Sequence, residues 1–295
     1  MTLEQLRIFV AVAEREHVTQ GARDLNLTQS ATSAAIAALE ARYAIKLFDR
    51  VGRRIVLTET GRIFLAEAKA VIARAAAAET VLGDLAGLTR GSLGLAASQT
   101  VANYWLPRII HHYHLRYPGI AVTLAIGNTE RVSGLVQRGE ADLGFVEGEI
   151  DSVTLATHPV ADDELVLVVA PGHDWAGRRP EPSHDFPRKR WVFRERGSGT
   201  RSIFEAVLPG MGVDARDLAI SLELPSNGAV RAAVEAGAGA TVISKLVAES
   251  SLRAGTLVSV DIALPKRRFF AMRHRERYLT RAAQEFWRTV VDGNT

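Results

Sequence analysis

Residues 18–42 read VTQGARDLNLTQSATSAAIAALEAR, and this stretch decides the fold of the N-terminal part of the chain. Thr19 is placed to cap a short helix running through Leu25, Asn26 supports a turn, and Thr28 can cap the helix that follows. In that second helix Thr32, Ile36 and Leu39 share an inward face, while Gln29, Ser30 and Ser33 look outward. Two short helices joined by a tight turn, the second presenting small polar groups at its start, match the helix-turn-helix arrangement that enters a DNA major groove.

Working outward, Leu6, Phe9, Val10 and Ala13 recur at i, i+3, i+4 and i+7 behind a possible Thr2 cap, which predicts a preceding helix. Downstream, Asp49-Arg50-Val51-Gly52-Arg53-Arg54 and Ile55-Val56-Leu57 read as a hairpin-like wing with three arginines within five residues. From Thr58 to about Leu88 the pattern is one long helix. Its Phe64, Ala68, Val71, Ala75, Ala78, Leu82 and Leu85 step by four and three, a heptad seam. So many alanines bury little by themselves. The seam therefore predicts pairing with a second copy, the other reading being that it lies on the chain's own body.

After Arg90-Gly91 a βαβ-type alternation starts. Strands are expected at Leu93–Ala97, Ala121–Ile126, Leu143–Val146, Leu165–Val169, Trp191–Phe193, Ser221–Leu224, Ala240–Ser244 and Phe269–Met272. Helices are expected at Ala102–Tyr117, Glu130–Arg138, Ile203–Val207, Ala229–Ala236 and Thr280–Val291, with 178–190 as a loop. Alternating strands and helices imply parallel sheets, and about 200 residues of them imply two lobes.

Composition narrows the function classes. The chain has 295 residues, 47% hydrophobic and 23% charged, an ordinary globular balance of about two domains. Lys and Arg number 36 against 33 Asp and Glu, so the net charge of +3 is uninformative until its clustering in the wing is seen. No cysteine is present, which excludes disulfides, thiolate nucleophiles and Cys-ligated metals. The opening MTLEQLRIFVAVAERE lacks a signal-peptide core, and Glu67, Lys69 and Arg74 break the alanine-rich helix. A cytoplasmic protein with no membrane partner is expected.

The first 60 residues resemble the winged helix-turn-helix of LysR-type transcriptional regulators. The resemblance rests on Leu6, Phe9 and Val12, on Ala22 and Leu25, and on Gln29 to Ser33. It extends through Leu39-Glu40, Leu47-Phe48-Asp49-Arg50 and Leu57-Thr58-Glu59-Thr60-Gly61. Leu106-Pro107, Tyr117-Pro118, Gly139-Glu140-Ala141-Asp142-Leu143-Gly144 and Ala236-Gly237-Ala238-Gly239 are similar to landmarks of the family's effector-binding domain. ASQTVANYWLP, RERGSGTR and LPSNGAVRAAVEAGAGATVIS most resemble the branch acting on carbon fixation or sulfur-oxyanion metabolism.

The resemblance implies an N-terminal all-α winged helix-turn-helix plus a long linker helix, followed by a C-terminal α/β, two-lobed, periplasmic-binding-protein-like effector domain. The expected divisions are 1–58 for DNA binding, 59–88 for the dimerising linker and 91–295 for effector binding. Within the last, lobe I is 91–161 with 267–295, and lobe II is 162–266.

For DNA, the candidates are Thr28, Gln29, Ser30 and Ser33 at the recognition helix and Arg50, Arg53 and Arg54 in the wing. Family members commonly carry long polar side chains just after the serine, whereas this chain has Ala34, Ala35, Ala37 and Ala38. That departure predicts a larger share of DNA-shape readout.

For the effector, the resemblance implies a cleft between the lobes. Ser98-Gln99-Thr100 and Gly197-Ser198-Gly199-Thr200-Arg201 each open a helix, and helix N-termini with free N–H groups favour anions. Arg201 could add a bidentate contact, and Ser226 and Asn227 further hydrogen bonds. Glu147 would repel a fully ionised anion unless it is protonated or bridges a ligand proton. Ordinary helix caps remain the competing role for Ser98, Thr100, Ser198 and Thr200, and a salt bridge for Arg201. Lys266-Arg267-Arg268 reads as solvated surface.

His111, His112 and His114 lack an acid at ligand spacing, so no metal site is expected. Gly197-Ser198-Gly199 is neither a phosphate loop nor a nucleophile elbow, and Gly237 and Gly239 lack a third fingerprint glycine. No enzyme and no cofactor are expected. The expected partners are a double-stranded DNA operator, a small anionic effector (sulfur oxyanion, phosphorylated metabolite or carboxylate) and further copies of the chain, as a dimer of dimers. RNA polymerase is a further candidate. The rival reading is a periplasmic-binding-type small-molecule binding protein with no transcriptional role.

Overall fold

The structure is a computed structural model describing residues 1–51, 54–85 and 91–291; for 51, 54, 77, 80, 81 and 83–85 it describes the backbone alone. Contacts divide the chain into one compact unit built on Met1–Gly87 and another built on Leu88–Gln137 and Ala141–Thr295.

In the first unit, α1 (Leu3–Arg15) opens with a capping box in which Gln5 N–H donates to Thr2 Oγ1 and Gln5 Oε1 accepts from Thr2 N–H. The next helix, α2 (Val18–Asp24), starts two residues earlier than the sequence suggests. Its cap is therefore His17, whose Nδ1 accepts from Gln20 N–H, and Thr19 falls inside the first turn. Asn26 takes the left-handed turn conformation (φ 56°) before α3 (Gln29–Tyr43), which Thr28 caps. As the pattern predicts, Thr32, Ile36 and Leu39 are buried.

The wing strands β1 (Phe48–Val51) and β2 (Arg54–Leu57) pair antiparallel. The core joins Leu6, Phe9, Leu39, Leu47 and Leu57 to the long α4 (Glu59–Leu85) through Ala68, with Phe9 stacked 5.5 Å from Phe48 and 4.9 Å from Phe64. Gly61 explains itself here: a Cβ would lie 2.2 Å from Leu47 O, so only glycine lets α4 reach the wing.

The heptad seam is therefore divided. Phe64 and Ala68 pack on their own α1, whereas Val71 and Leu82 are exposed; the Leu85 side chain and residues 86–88 lie outside the described residues. Among the described residues no helix is long and apolar enough to cross a membrane.

The second unit begins with β3 (Gly91–Ser98), a π-helical turn (Val101–Trp105), α5 (Leu106–Arg116), β4 (Ile120–Gly127), α6 (Thr129–Arg138), β5 (Leu143–Glu147) and β6 (Leu155–Asp163). It continues with β7 (Leu165–Val169), α7 (Pro182–Asp185), β8 (Arg190–Arg194), α8 (Gly199–Val207), β9 (Ala219–Leu224), α9 (Asn227–Glu235), β10 (Thr241–Ser244), α10 (Lys245–Ala254) and β11 (Val258–Val260). It closes with β12 (Arg267–His274) and α11 (Arg281–Val291).

Two lobes result. The first carries a five-stranded sheet ordered β4-β3-β5-β12-β6. Leu95, Leu143, Phe145 and Phe269 pack there with Tyr113 of α5 and Phe286 of α11. The second carries β10-β7-β11 and β8-β9, joined by a Trp191–Ala240 bridge around a Trp175–Phe186–Trp191–Phe204 cluster.

The expectation of parallel sheets needs correction. β3, β4 and β5 are parallel, but β12 runs antiparallel between β5 and β6, and β7 is antiparallel to both neighbours. The chain crosses between lobes after β6 and again before β12, so strands enter each sheet from opposite ends. The stretch expected as loop at 178–190 also contains α7 and a 3-10 turn.

Candidate functional site

The N-terminal unit presents Thr28, Gln29 and Ser30 exposed at the start of α3, with Ser33 half-buried one turn on. Their mutual hydrogen bonds, Thr28 Oγ1 to Ser30 Oγ (3.1 Å) and Gln29 Nε2 to Ser33 Oγ (3.4 Å), are exposed and readily exchanged for base edges or phosphate. Ala34, Ala37 and Ala38 are exposed on the same helix, so few long side chains extend from it. Arg50 is exposed on β1; Arg53 and the side chain of Arg54 lie outside the described residues.

Glu40 ties the recognition helix to the wing, its Oε1 accepting from the amides of Leu47 (2.8 Å) and Phe48 (3.2 Å). Burial pushes this carboxyl up, but the two amides and the Lys46 ammonium outweigh it and hold it below the ordinary carboxylate range.

The second site lies where the two lobes of the C-terminal unit meet. Ser98 ends β3 and Thr100 follows; Ser198, Gly199 and Thr200 open α8; Glu147 ends β5. All are buried, with Ser98, Thr100, Glu147, Ser198 and Thr200 between 1% and 5% exposed. The approach is close: a Cβ on Gly199 would stand 2.7 Å from Thr129 Oγ1 and 2.9 Å from Glu147 O.

Hydrogen bonds span the cleft. Gln99 Nε2 donates to Pro225 O (2.8 Å), Asn227 N–H to Gln99 Oε1 (2.9 Å), Asn227 Nδ2 to Thr100 Oγ1 (3.0 Å) and Asn128 Nδ2 to Arg196 O (3.3 Å). Among the described residues the buried hydroxyls of Ser98 and Thr129 have no hydrogen-bond partner. Buried hydroxyls without partners are costly, so Ser98 and Thr129 each hold unspent hydrogen-bonding capacity inside the cleft.

Two expected contacts have partners within the chain. The Arg201 guanidinium pairs with Glu205 (2.7 Å), Glu223 (2.6 Å) and Arg194 O (3.0 Å) and lies over Phe193, the salt bridge that competes with its expected ligand contact. Ser226 Oγ accepts from Ala229 N–H and so caps α9. Conversely, Arg267, expected on solvated surface, is 4% exposed. Its Nε meets Asp163 Oδ2 at 2.5 Å and its Nη1 donates to Thr200 Oγ1 at 2.9 Å.

Sequence reasoning also passed over Thr129, Arg194 and Asp163. Asn128 before a Thr-Glu start is a legible cap signal for the first; the other two owe their places to partners far along the chain. Arg194 donates twice to Glu195 (2.8 and 2.9 Å). Burial pushes Glu195 up, yet this arginine holds it below the usual range. Among the described residues no group of three or more His, Asp and Glu could hold a metal.

Sequence comparison decides the family. Residues 3–62 match the bacterial regulatory helix-turn-helix protein, lysR family, and residues 86–294 match the LysR substrate binding domain. The chain belongs to the LysR family. Members of this family are transcription regulators, not enzymes, and this LysR protein is a DNA-binding transcriptional regulator with an effector-binding domain.

It is 35% identical over 288 residues to the HTH-type transcriptional regulator YeiE of Escherichia coli (strain K12), covering 97% of this chain and 96% of that protein. It is 33% identical over 293 residues to the RuBisCO operon transcriptional regulator of Allochromatium vinosum, covering 99% and 96%. Among solved structures, the CcmR regulatory domain of Synechocystis PCC6803 in complex with 2-PG superposes with a TM-score of 0.63 at 29% identity, over 70% of this chain and 98% of that one. Full-length CbnR, a LysR family transcriptional regulator, shares the fold over 100% of both chains with a TM-score of 0.73.

Proposed function

We propose that this LysR regulator binds its operator through α3 and the wing and that a small anion closing the interlobe cleft controls that binding. The single observation supporting the effector half is the set of buried hydroxyls. Among the described residues, Ser98 and Thr129 have no partner, and Thr100 and Thr200 accept hydrogen bonds without donating one. Hydroxyls in that condition suit an acceptor-rich ligand such as a sulfur oxyanion, a phosphorylated metabolite or a carboxylate. The relatives lean the same way: RuBisCO operon regulators and a CcmR domain complexed with 2-PG.

Glu147 narrows the class. A buried carboxylate beside the anion disfavours a fully ionised ligand and favours one that brings a proton to it. Thr28, Gln29, Ser30, Ser33 and Arg50, with Arg53 and Arg54 of the wing, contact DNA in this reading. Residues 1–58 read DNA, 59–88 dimerise and 91–295 sense, in a cytoplasmic dimer of dimers that acts on RNA polymerase. The ligand works by preferring the closed lobes, and carrying the switch from 1:99 to 99:1 takes about 5.5 kcal/mol of preference.

The test is a thermal-shift panel of sulfite, sulfate, phosphate, 2-PG and small carboxylates, paired with a gel shift on the promoter nearest the gene. At least one anion raises the melting temperature and alters the DNA complex. If none does, the effector reading falls; if the promoter is not bound in a salt-dependent way, the DNA reading falls.

A further inference from the structure

We propose that Arg194 and Arg267 are positioning residues that fix, across the lobe boundary, the direction in which the Thr100 and Thr200 hydroxyls donate. The proposal rests on the anion-effector reading above and deepens it. Thr200 belongs to lobe II, and its Oγ1 accepts from Nη1 of Arg267, the first residue of the lobe I strand β12. Arg267 is in turn held by Asp163, whose Oδ1 accepts from Ser244 Oγ at 2.7 Å. Thr100 belongs to lobe I, and its Oγ1 accepts from Nδ2 of Asn227 in lobe II.

The polarity of that amide is not free. Arg194 Nη1 donates to Asn227 Oδ1, and a guanidinium has only donors, so Asn227 must turn its oxygen to Arg194 and its NH2 to Thr100. A hydroxyl has one hydrogen. Having accepted from an obligate donor, each threonine still has that hydrogen to give, and among the described residues neither gives it to an acceptor.

Both relays cross between lobes. Each threonine is polarised by the opposite lobe: Thr200 by an arginine of the lobe I sheet, Thr100 by an arginine acting through Asn227. Opening the cleft breaks both relays and lets the hydroxyls rotate, while closing it makes both point a hydrogen at the ligand. Anion binding and lobe closure then reinforce one another by linkage, without either arginine touching the anion.

A double-mutant cycle on the full-length protein tests this, titrating sulfite, inorganic phosphate and 2-PG calorimetrically. Arg194→Met and Thr100→Ala each weaken the tightest-binding probe about tenfold or more, as loss of a hydrogen bond to a charged group does. The double variant is no weaker than either single one, because the arginine acts through the threonine. Thr100→Ser, which keeps the hydroxyl, retains affinity.

The hinge arm pairs Arg267→Met with Asp163→Asn, so that no buried charge is stranded, and combines it with Thr200→Ala. Should Arg194→Met fail to fold, Asn227→Ala in the Thr100→Ala background carries the same expectation. Multiplying losses, or singles with unchanged affinity, overturn the relay while leaving the anion reading intact. A wild-type protein that binds none of the probes overturns the anion reading itself and the relay with it.

Discussion

Gly199→Ala is the sharpest perturbation of lobe closure. Gly199 opens α8, and the added methyl would lie 2.7 Å from Thr129 Oγ1 and 2.9 Å from Glu147 O, the latter a backbone atom that cannot rotate away. Ordinary contact begins near 3.4 Å, so with Thr129 rotated aside α8 must still withdraw by about 0.5 Å from Glu147 O. Three interlobe hydrogen bonds are in the path: Glu130 N–H to Gly197 O (3.4 Å), Asn128 Nδ2 to Arg196 O (3.3 Å) and Arg267 Nη1 to Thr200 Oγ1 (2.9 Å). Losing two of them at about 1 kcal/mol each removes about 2 kcal/mol from the closed form. That is roughly a 30-fold fall in the closed-to-open ratio, and the apparent affinity of a ligand that needs closure falls by about the same factor. Alanine meanwhile favours a helix over glycine by about 0.5–1 kcal/mol, so the ligand-free melting temperature is held or slightly raised. Calorimetric titration of the anion that most stabilises the wild-type protein, run beside thermal unfolding without it, separates the two effects. Wild-type affinity in the variant would refute the close-packed, closure-dependent site.

Other outcomes follow from the same geometry. Glu40 is held below its ordinary value of 4.5, so its stabilising contribution is present above that pH and is lost as pH falls through its folded value. Glu40→Gln therefore lowers stability by about 1 kcal/mol at pH 7, and unfolding curves of the two proteins converge in acid; a constant gap from pH 7 to pH 3 would contradict the assignment. Arg50→Ala should weaken binding to all DNA sequences alike and reduce the slope of log affinity against log salt by about one, read by fluorescence anisotropy. Arg201→Met should cost about 1–2 kcal/mol of thermal stability, discounted because Glu205 and Glu223 are partly solvated, and leave the anion dissociation constant within about twofold. A tenfold loss of anion affinity there would restore Arg201 to the cleft.

Much of the N-terminal unit is legible in sequence because its signals are local. The Thr28 cap, the Thr32–Ile36–Leu39 face and the Asn26 turn each involve residues within about one or two helical turns. The heptad seam is legible as a pattern but not as a contact. Phe64 and Ala68 satisfy it within the chain, and Val71 and Leu82 remain exposed. In the C-terminal unit β6 escapes the strand signature because it is a sheet edge that carries Pro159 and polar residues, where proline costs no ladder bond. The helix α10 buries Val247, Ala248 and Ser251 and is capped by Ser244, and it was passed over although those signals are local.

What the sequence by itself determined is the family, the order of domains and the two helix starts, Ser98–Thr100 and Gly197–Thr200, that face the cleft. The family is carried by the resemblance of whole motifs, and the helix starts by small polar residues and glycines set just ahead of an apolar run, signals written in adjacent letters. Which arginine meets Thr200 was decided only by tertiary structure. Arg201 sits beside the expected site in sequence yet spends its donors on Glu205 and Glu223, whereas Arg267 lies in a run of surface-like cations and reaches Thr200 from across the hinge. A guanidinium goes to whichever acceptors the fold brings within about 3 Å in a site too dry to leave it unpaired, and that choice depends on residues dozens of positions away.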